Sequence, residues 1–160
     1  MLVASLFLMG MDNGDEGPDG RARLVERQKQ LNARIETLKQ EQDYLLFQKA
    51  MYASDSKYLV INIAARTGQL KYKNRILKDF HFTSAGHDNM LKPGAITLTQ
   101  KIEGTKGRRS LIFGSSLVLF DKRASVTRLK AGVPRIYLSK KDFLSVFYSI
   151  ENGAMSYLIR

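Results

Sequence analysis

From Arg21 to Ala53 the chain carries neither proline nor glycine, and Leu, Arg, Gln, Glu and Lys dominate the stretch. Uninterrupted helix formers over that length dictate a single long helix, spanning 21–53. Leu24, Leu31, Leu38 and Leu45 recur every seven residues, and Ile35 follows Leu31 by four. This is a coiled-coil pattern with Ile35 as its one good a position and polar Gln28 and Gln42 at the neighbouring ones. A seam of Leu24, Leu31, Ile35, Leu38 and Leu45 implies a weak, concentration-dependent homodimer. The competing outcome is an amphipathic helix folded onto its own domain, for which Leu45, Leu46, Phe47, Met51 and Tyr52 thicken the apolar face.

Beyond Ala53-Ser-Asp-Ser56 the pattern changes to short β runs divided by breakers. The runs are Tyr58–Ala64, Gln69–Tyr72, Ile76–Thr83, Ala95–Lys101, Ser110–Phe113, Leu117–Phe120 and Arg135–Ser139. Thr67-Gly68, Lys92-Pro93-Gly94, 103–107 and Gly132-Val133-Pro134 separate them. A helix is expected over Asp142–Ile150, ending at Asn152-Gly153. Many strands with one late helix argue an α+β chain: a mostly-β sandwich or barrel over 57–160, preceded by the long N-terminal helix.

Residues 1–20 join an apolar stretch, Leu2–Met9, to a Gly- and Pro-containing acidic linker. The apolar part is too short to span a bilayer. It is expected to be either the remnant of a longer export segment or a locally packed terminus. Residues 1–20 hold Asp12, Asp15, Glu16 and Asp19 without a single Lys or Arg, so against the chain's formal +11 the remaining residues carry +15. A basic surface of that size attracts anions: carboxylated or phosphorylated envelope polymers, anionic lipid heads, or nucleic acid.

The segment Pro134-Arg-Ile-Tyr-Leu-Ser-Lys-Lys-Asp142 resembles the catalytic strand of the L,D-transpeptidases, cysteine enzymes that cross-link peptidoglycan. Their strand reads S-x-G-C-I-R-L-S, followed by polar residues, an Asp, a short helix, a turn and a last strand. In this register Arg135 stands at the nucleophilic Cys and Tyr137 at the following Arg. Residues 57–78 are similar to the family's opening hairpin, with Lys73-Asn74 at its turn. Lys92-Pro-Gly-Ala-Ile-Thr-Leu98 is similar to T-P-x-G-x-F-x-I, and Leu111-Ile-Phe-Gly-Ser115 resembles the I-H-G-T strand with Phe113 in place of His. The resemblance implies a transpeptidase-like fold over 57–160 with a degenerate site at Phe113, Gly114, Ser115, Pro134, Arg135 and Tyr137. It also implies a cell-envelope or periplasmic setting, with the N-terminal segment as a membrane tether.

The residue inventory points the same way. With no cysteine in the chain there is no thiolate nucleophile, and the histidines are His81 and His87. Ser110, Ser115, Ser116 and Ser139 offer hydroxyls, but none lies in a G-x-S-x-G elbow. His81 and His87 have no partner at ligand spacing, so no metal and no cofactor are expected. Transpeptidase activity is expected to be absent. Basic loop clusters supply the anion-binding candidates: Lys106, Arg108 and Arg109; Lys122 and Arg123; Arg128 and Lys130; and Arg135. Lys71, Lys73 and Arg75 alternate along one hairpin and suit a solvated sheet edge.

Three functions follow in order. The first is a non-catalytic scaffold that binds an anionic envelope polymer or a protein partner. The second is a nucleic-acid-binding β module, disfavoured because no recognition motif accompanies the charge. The third is a cryptic Ser/His hydrolase, which requires a serine and a histidine in contact inside a cleft.

Overall fold

The computed structural model describes residues 18–84, 90–104, 109–121 and 132–160. The chain divides into two units, Met1–Lys39 and Gln40–Arg160. The first unit's described part is helical, and every residue from 21 to 39 is exposed. Its helix, α1, runs over Pro18–Ala53 and so begins inside the expected linker. Proline is tolerated at a first helical position because its missing N–H would be unsatisfied there anyway.

The second unit contains the end of α1 and nine strands: β1 Lys57–Asn62, β2 Thr67–Tyr72, β3 Arg75–Ser84, β4 Gly94–Thr97, β5 Gln100–Glu103, β6 Arg109–Phe113, β7 Leu117–Asp121, β8 Arg135–Leu138 and β9 Met155–Ile159. A second helix, α2, spans Lys140–Ser149 between β8 and β9. The strands form one curled mixed sheet in the order β4-β9-β1-β2-β3-β8-β7-β6-β5. The pairs β1–β9 and β7–β8 are parallel and the others antiparallel. The α+β arrangement is the expected one, and of the two expected forms, sandwich or barrel, the curled sheet is nearer the barrel.

Its curl has a local cause. The expected strand Ala95–Lys101 is divided between the two edges of the sheet, β4 pairing with β9 and β5 with β6. At the division Leu98 donates to Ala154 O at 2.9 Å, and the next residue, Thr99, donates to Ile112 O at 2.8 Å. Consecutive residues therefore bond to opposite ends of the strand order, and each edge is held by the covalent chain of the other. β3 is long enough for two partners as well. Residues 75–81 pair with β2 and Phe82, Thr83 and Ser84 pair with β8.

Inside the curl lies the main core, with Leu59 and Ile61 of β1, Phe80 and Phe82 of β3, Leu117 and Leu119 of β7, Ile136 and Leu138 of β8, and Phe143, Val146 and Phe147 of α2. The period-two side-chain alternation of strands places this set on one face. On the outer face, Tyr58, Val60 and Tyr157 form a second cluster with Phe47 and Met51 from the last turns of α1, and Tyr44 packs against it. Phe47 lies 5.0 Å from the Tyr157 ring and 5.6 Å from Tyr58. Docking thus uses Phe47 and Met51 as expected, while Leu45, Leu46 and Tyr52 remain exposed.

The β2–β3 hairpin corrects the solvated-edge reading of its cations. β2 lies between β1 and β3, and the edges are β4 and β5. Lys73 sits in the two-residue turn with φ 52. Its ammonium meets Asp55 at 3.0 Å, and its carbonyl accepts from the Tyr58 hydroxyl at 2.8 Å.

Candidate functional site

Three of the four segments that carry the resemblance converge on one pocket of about 220 Å³. Lys92 comes from the loop into β4, Ile96 from β4 itself, Ser115 and Ser116 from the β6–β7 turn, Pro134 from the entry to β8, and Leu158 from β9. The β6–β7 turn is well defined. Gly114 adopts φ 55, a left-handed conformation that glycine takes without a Cβ clash. Ser116 N donates to Phe113 O at 3.1 Å, closing the turn. Thr99 braces it from the side: its hydroxyl donates to Ile112 O at 2.9 Å and accepts from Gly114 N at 3.1 Å. Pro134 is held by its carbonyl, which accepts from Val118 N at 3.1 Å.

The degenerate-site positions separate into three environments. Gly114 and Ser115 are exposed in the turn, and Ser115 and Pro134 line the pocket. Phe113, which the resemblance matches to a histidine, is 1% exposed and belongs to the main core. Arg135 and Tyr137 alternate with core residues Ile136 and Leu138, which puts them on the outer face of β8. Tyr137 stacks on Phe120 at 5.8 Å and 27°. Pro134 lines the pocket and Arg135, the anion-binding candidate next to it, does not; Arg135 is half-buried and pairs with Val118 in the β7–β8 register.

The ion pairs among the described residues are Lys73–Asp55, Lys78–Asp142 and Arg109–Glu103. Asp142 pairs with Lys78 at 2.9 Å and not with Arg135. Arg109 is the first residue of β6, not a loop residue. Its guanidinium is held by the Glu103 carboxylate, with Nε donating at 2.7 Å, and it also lies over the Tyr148 ring at 5.5 Å. That pairing makes Arg109 a poor candidate for a free anion contact. Lys106, Arg108, Lys122, Arg123, Arg128 and Lys130 lie outside the described residues, as does His87. Lys92 carries part of the resemblance and is not among the anion-binding candidates of the sequence, although a lysine directly before Pro-Gly is a cation on a constrained turn.

Ser139, expected to end a strand, caps α2 instead. Its hydroxyl accepts from Asp142 N at 3.1 Å and bonds the Asp142 carboxylate at 2.7 Å. Burial works against ionisation of Asp142, but the Ser139 hydroxyl and Lys78 outweigh it and hold the carboxyl below its ordinary pKa. His81 is exposed on β3, across from Thr67 and away from the serines of the pocket. The pocket of Ser115 and Ser116 contains no histidine, and the one lined by His81 contains no serine; among the described residues no cluster of His, Asp or Glu could hold a metal ion. Nor is any helix there long and apolar enough to cross a membrane.

No protein-family model matches the chain, and no curated protein matches it. Solved structures do. An L,D-transpeptidase from Xylanimonas cellulosilytica is similar at 10% identity with a TM-score of 0.51, over 66% of this chain and 61% of that one. An L,D-transpeptidase from Mycobacterium smegmatis is 13% identical with a TM-score of 0.51, covering 66% and 59%. One from Stackebrandtia nassauensis is 10% identical with a TM-score of 0.52, covering 66% and 56%. The helix followed by a curled nine-stranded mixed sheet has the fold of L,D-transpeptidase catalytic domains. This chain spans roughly three fifths of the length of those structures.

Proposed function

We propose that this protein is a binding module of the bacterial cell envelope on an L,D-transpeptidase fold, holding peptidoglycan or an envelope protein without cross-linking. The observation that carries the reading is the fate of the two reactive positions: Phe113 fills the core and Arg135 occupies the outer face of β8. A thiolate attack needs a cysteine and a base within hydrogen-bond reach, and the chain has no cysteine. What the pocket retains suits recognition. Lys92 supplies a cation, and Ser115 and Ser116 supply hydroxyls beside the apolar walls of Ile96 and Leu158. A carboxylate or phosphate on a polymer would find a charge and two donors there.

Cosedimentation with purified sacculi tests the reading. Wild type should pellet with sacculi at low and moderate salt, and Lys92→Glu should pellet several-fold less, since it reverses the pocket's charge. An electrophoretic shift with nucleic acid at the same two salt concentrations serves as the contrast. If the chain binds nucleic acid with a steep loss on adding salt and ignores sacculi, the basic-module reading replaces this one.

A further inference from the structure

Within the second unit, Leu45 lies away from the face of α1 that docks. Within Gln40–Arg160, Phe47 and Met51 are buried against β1 and β9 and Tyr44 packs beside them. Leu45 is 63% exposed in the same turns. Helical geometry sets the a/d positions here about 160° round the axis from that docked set. In the same heptad phase Ile35, Leu38, Leu31 and Leu24 are all more than half exposed. A repeating apolar stripe left exposed on a helix suits a partner helix, and the residues beside it select which one.

With the leucines at d and Ile35 at a, the flanking positions hold Arg27, Arg34 and Glu41 on one side and Val25, Asn32, Lys39 and Leu46 on the other. A parallel pair of these helices sets Arg34 against the partner's Lys39, a repulsion that two-fold symmetry makes twice. An antiparallel pair layered on Ile35 and the partner's Leu38 sets Arg34 against the partner's Glu41 instead, again twice. The same register meets Val25 with the partner's Leu46 and Leu45 with the partner's Gln28. Charge and apolar complementarity agree on one arrangement.

We propose that α1 pairs with α1 of a second copy as an antiparallel two-helix coiled coil over Leu24–Lys49, with Ile35 and Leu38 at its centre. Gln28 and Gln42 interrupt the apolar layers, so the dimer is concentration-dependent. This inference is independent of what the pocket binds.

Sedimentation equilibrium of the full chain tests both partner and direction. Wild type should dimerise in the micromolar range. Arg34→Glu should weaken the dimer about tenfold by opposing two like charges, and adding Glu41→Arg should restore it. A parallel pair gives the opposite sign, because the carboxylate introduced by Arg34→Glu would then attract the partner's Lys39. Because the chain has no cysteine, engineered thiols report without background. A mixture of Gln28→Cys and Leu45→Cys chains should oxidise to a mixed disulfide dimer, and Leu45→Cys alone should not. Circular dichroism confirms that each variant keeps its helix. A wild-type monomer at several hundred micromolar, an unchanged or tighter Arg34→Glu dimer, or self-linking of Leu45→Cys would overturn the proposal.

Discussion

The two helices of this protein differ in where their apolar residues go. α2 has ten residues, a Ser139 cap, an ion pair through Asp142, and Phe143, Val146 and Phe147 buried in the main core. α1 has 36 residues, and within the second unit it buries Phe47 and Met51 alone. The first helix therefore carries more apolar surface than its described surroundings cover. A helix whose face is fully used by its own domain is a core element. One that leaves a periodic stripe exposed is a surface for another chain.

The contrast is sharpest under truncation. Phe143→Ala removes a fully buried ring and should cost about 3–5 kcal/mol in urea unfolding. Equal loss from an exposed α1 leucine would erase the distinction between the helices. Phe47→Ala, on the outer-face cluster, should cost less, about 2–3 kcal/mol, because the smaller cluster can relax around the vacancy. It should also raise amide exchange in the last turns of α1 before any in the main core.

Smaller effects probe the caps and the stripe. Ser139→Ala should cost about 1 kcal/mol, since it removes the acceptor for Asp142 N. The same cap sets an acid dependence. The Asp142 carboxyl titrates below its unfolded value, so its stabilisation is present above about pH 4 and disappears as pH falls through the lower folded value. Acid titration of Ser139→Ala should show a shallower loss over that range than wild type. Leu31→Lys with Leu38→Lys should change monomer stability by less than about 0.5 kcal/mol, because both side chains are exposed. A marked destabilisation in dilute solution would mean that the stripe packs on its own chain.

Legibility in the sequence followed how local the determining interactions are. The absence of breakers in 21–53 read directly as α1, and the runs around Tyr58, Leu70, Phe80, Leu111 and Leu119 read as strands because alternation, or a short apolar run between breakers, is written in neighbouring residues. The division of Ala95–Lys101 did not, because it depends on Leu98 and Thr99 bonding to Ala154 and Ile112, distant in the chain. Ser139 was misassigned for a related reason: its neighbours look like a strand, and only the bond to Asp142 N makes it a cap. At the site, resemblance marked Ser115 and Pro134, which the fold brings together. It could not say which way Arg135 faces, since that rests on which side of β8 meets the core.

The central proposal is that this chain, with Phe113 in the core and Arg135 on the outer face of β8, binds without reacting. Incubation of the full chain with a tetrapeptide donor stem and an acceptor stem, followed by mass analysis of the products, tests it most directly. The account predicts no cross-linked product above a heat-inactivated control. Cross-linked product above that control would show that another residue has taken over the chemistry and would contradict the account.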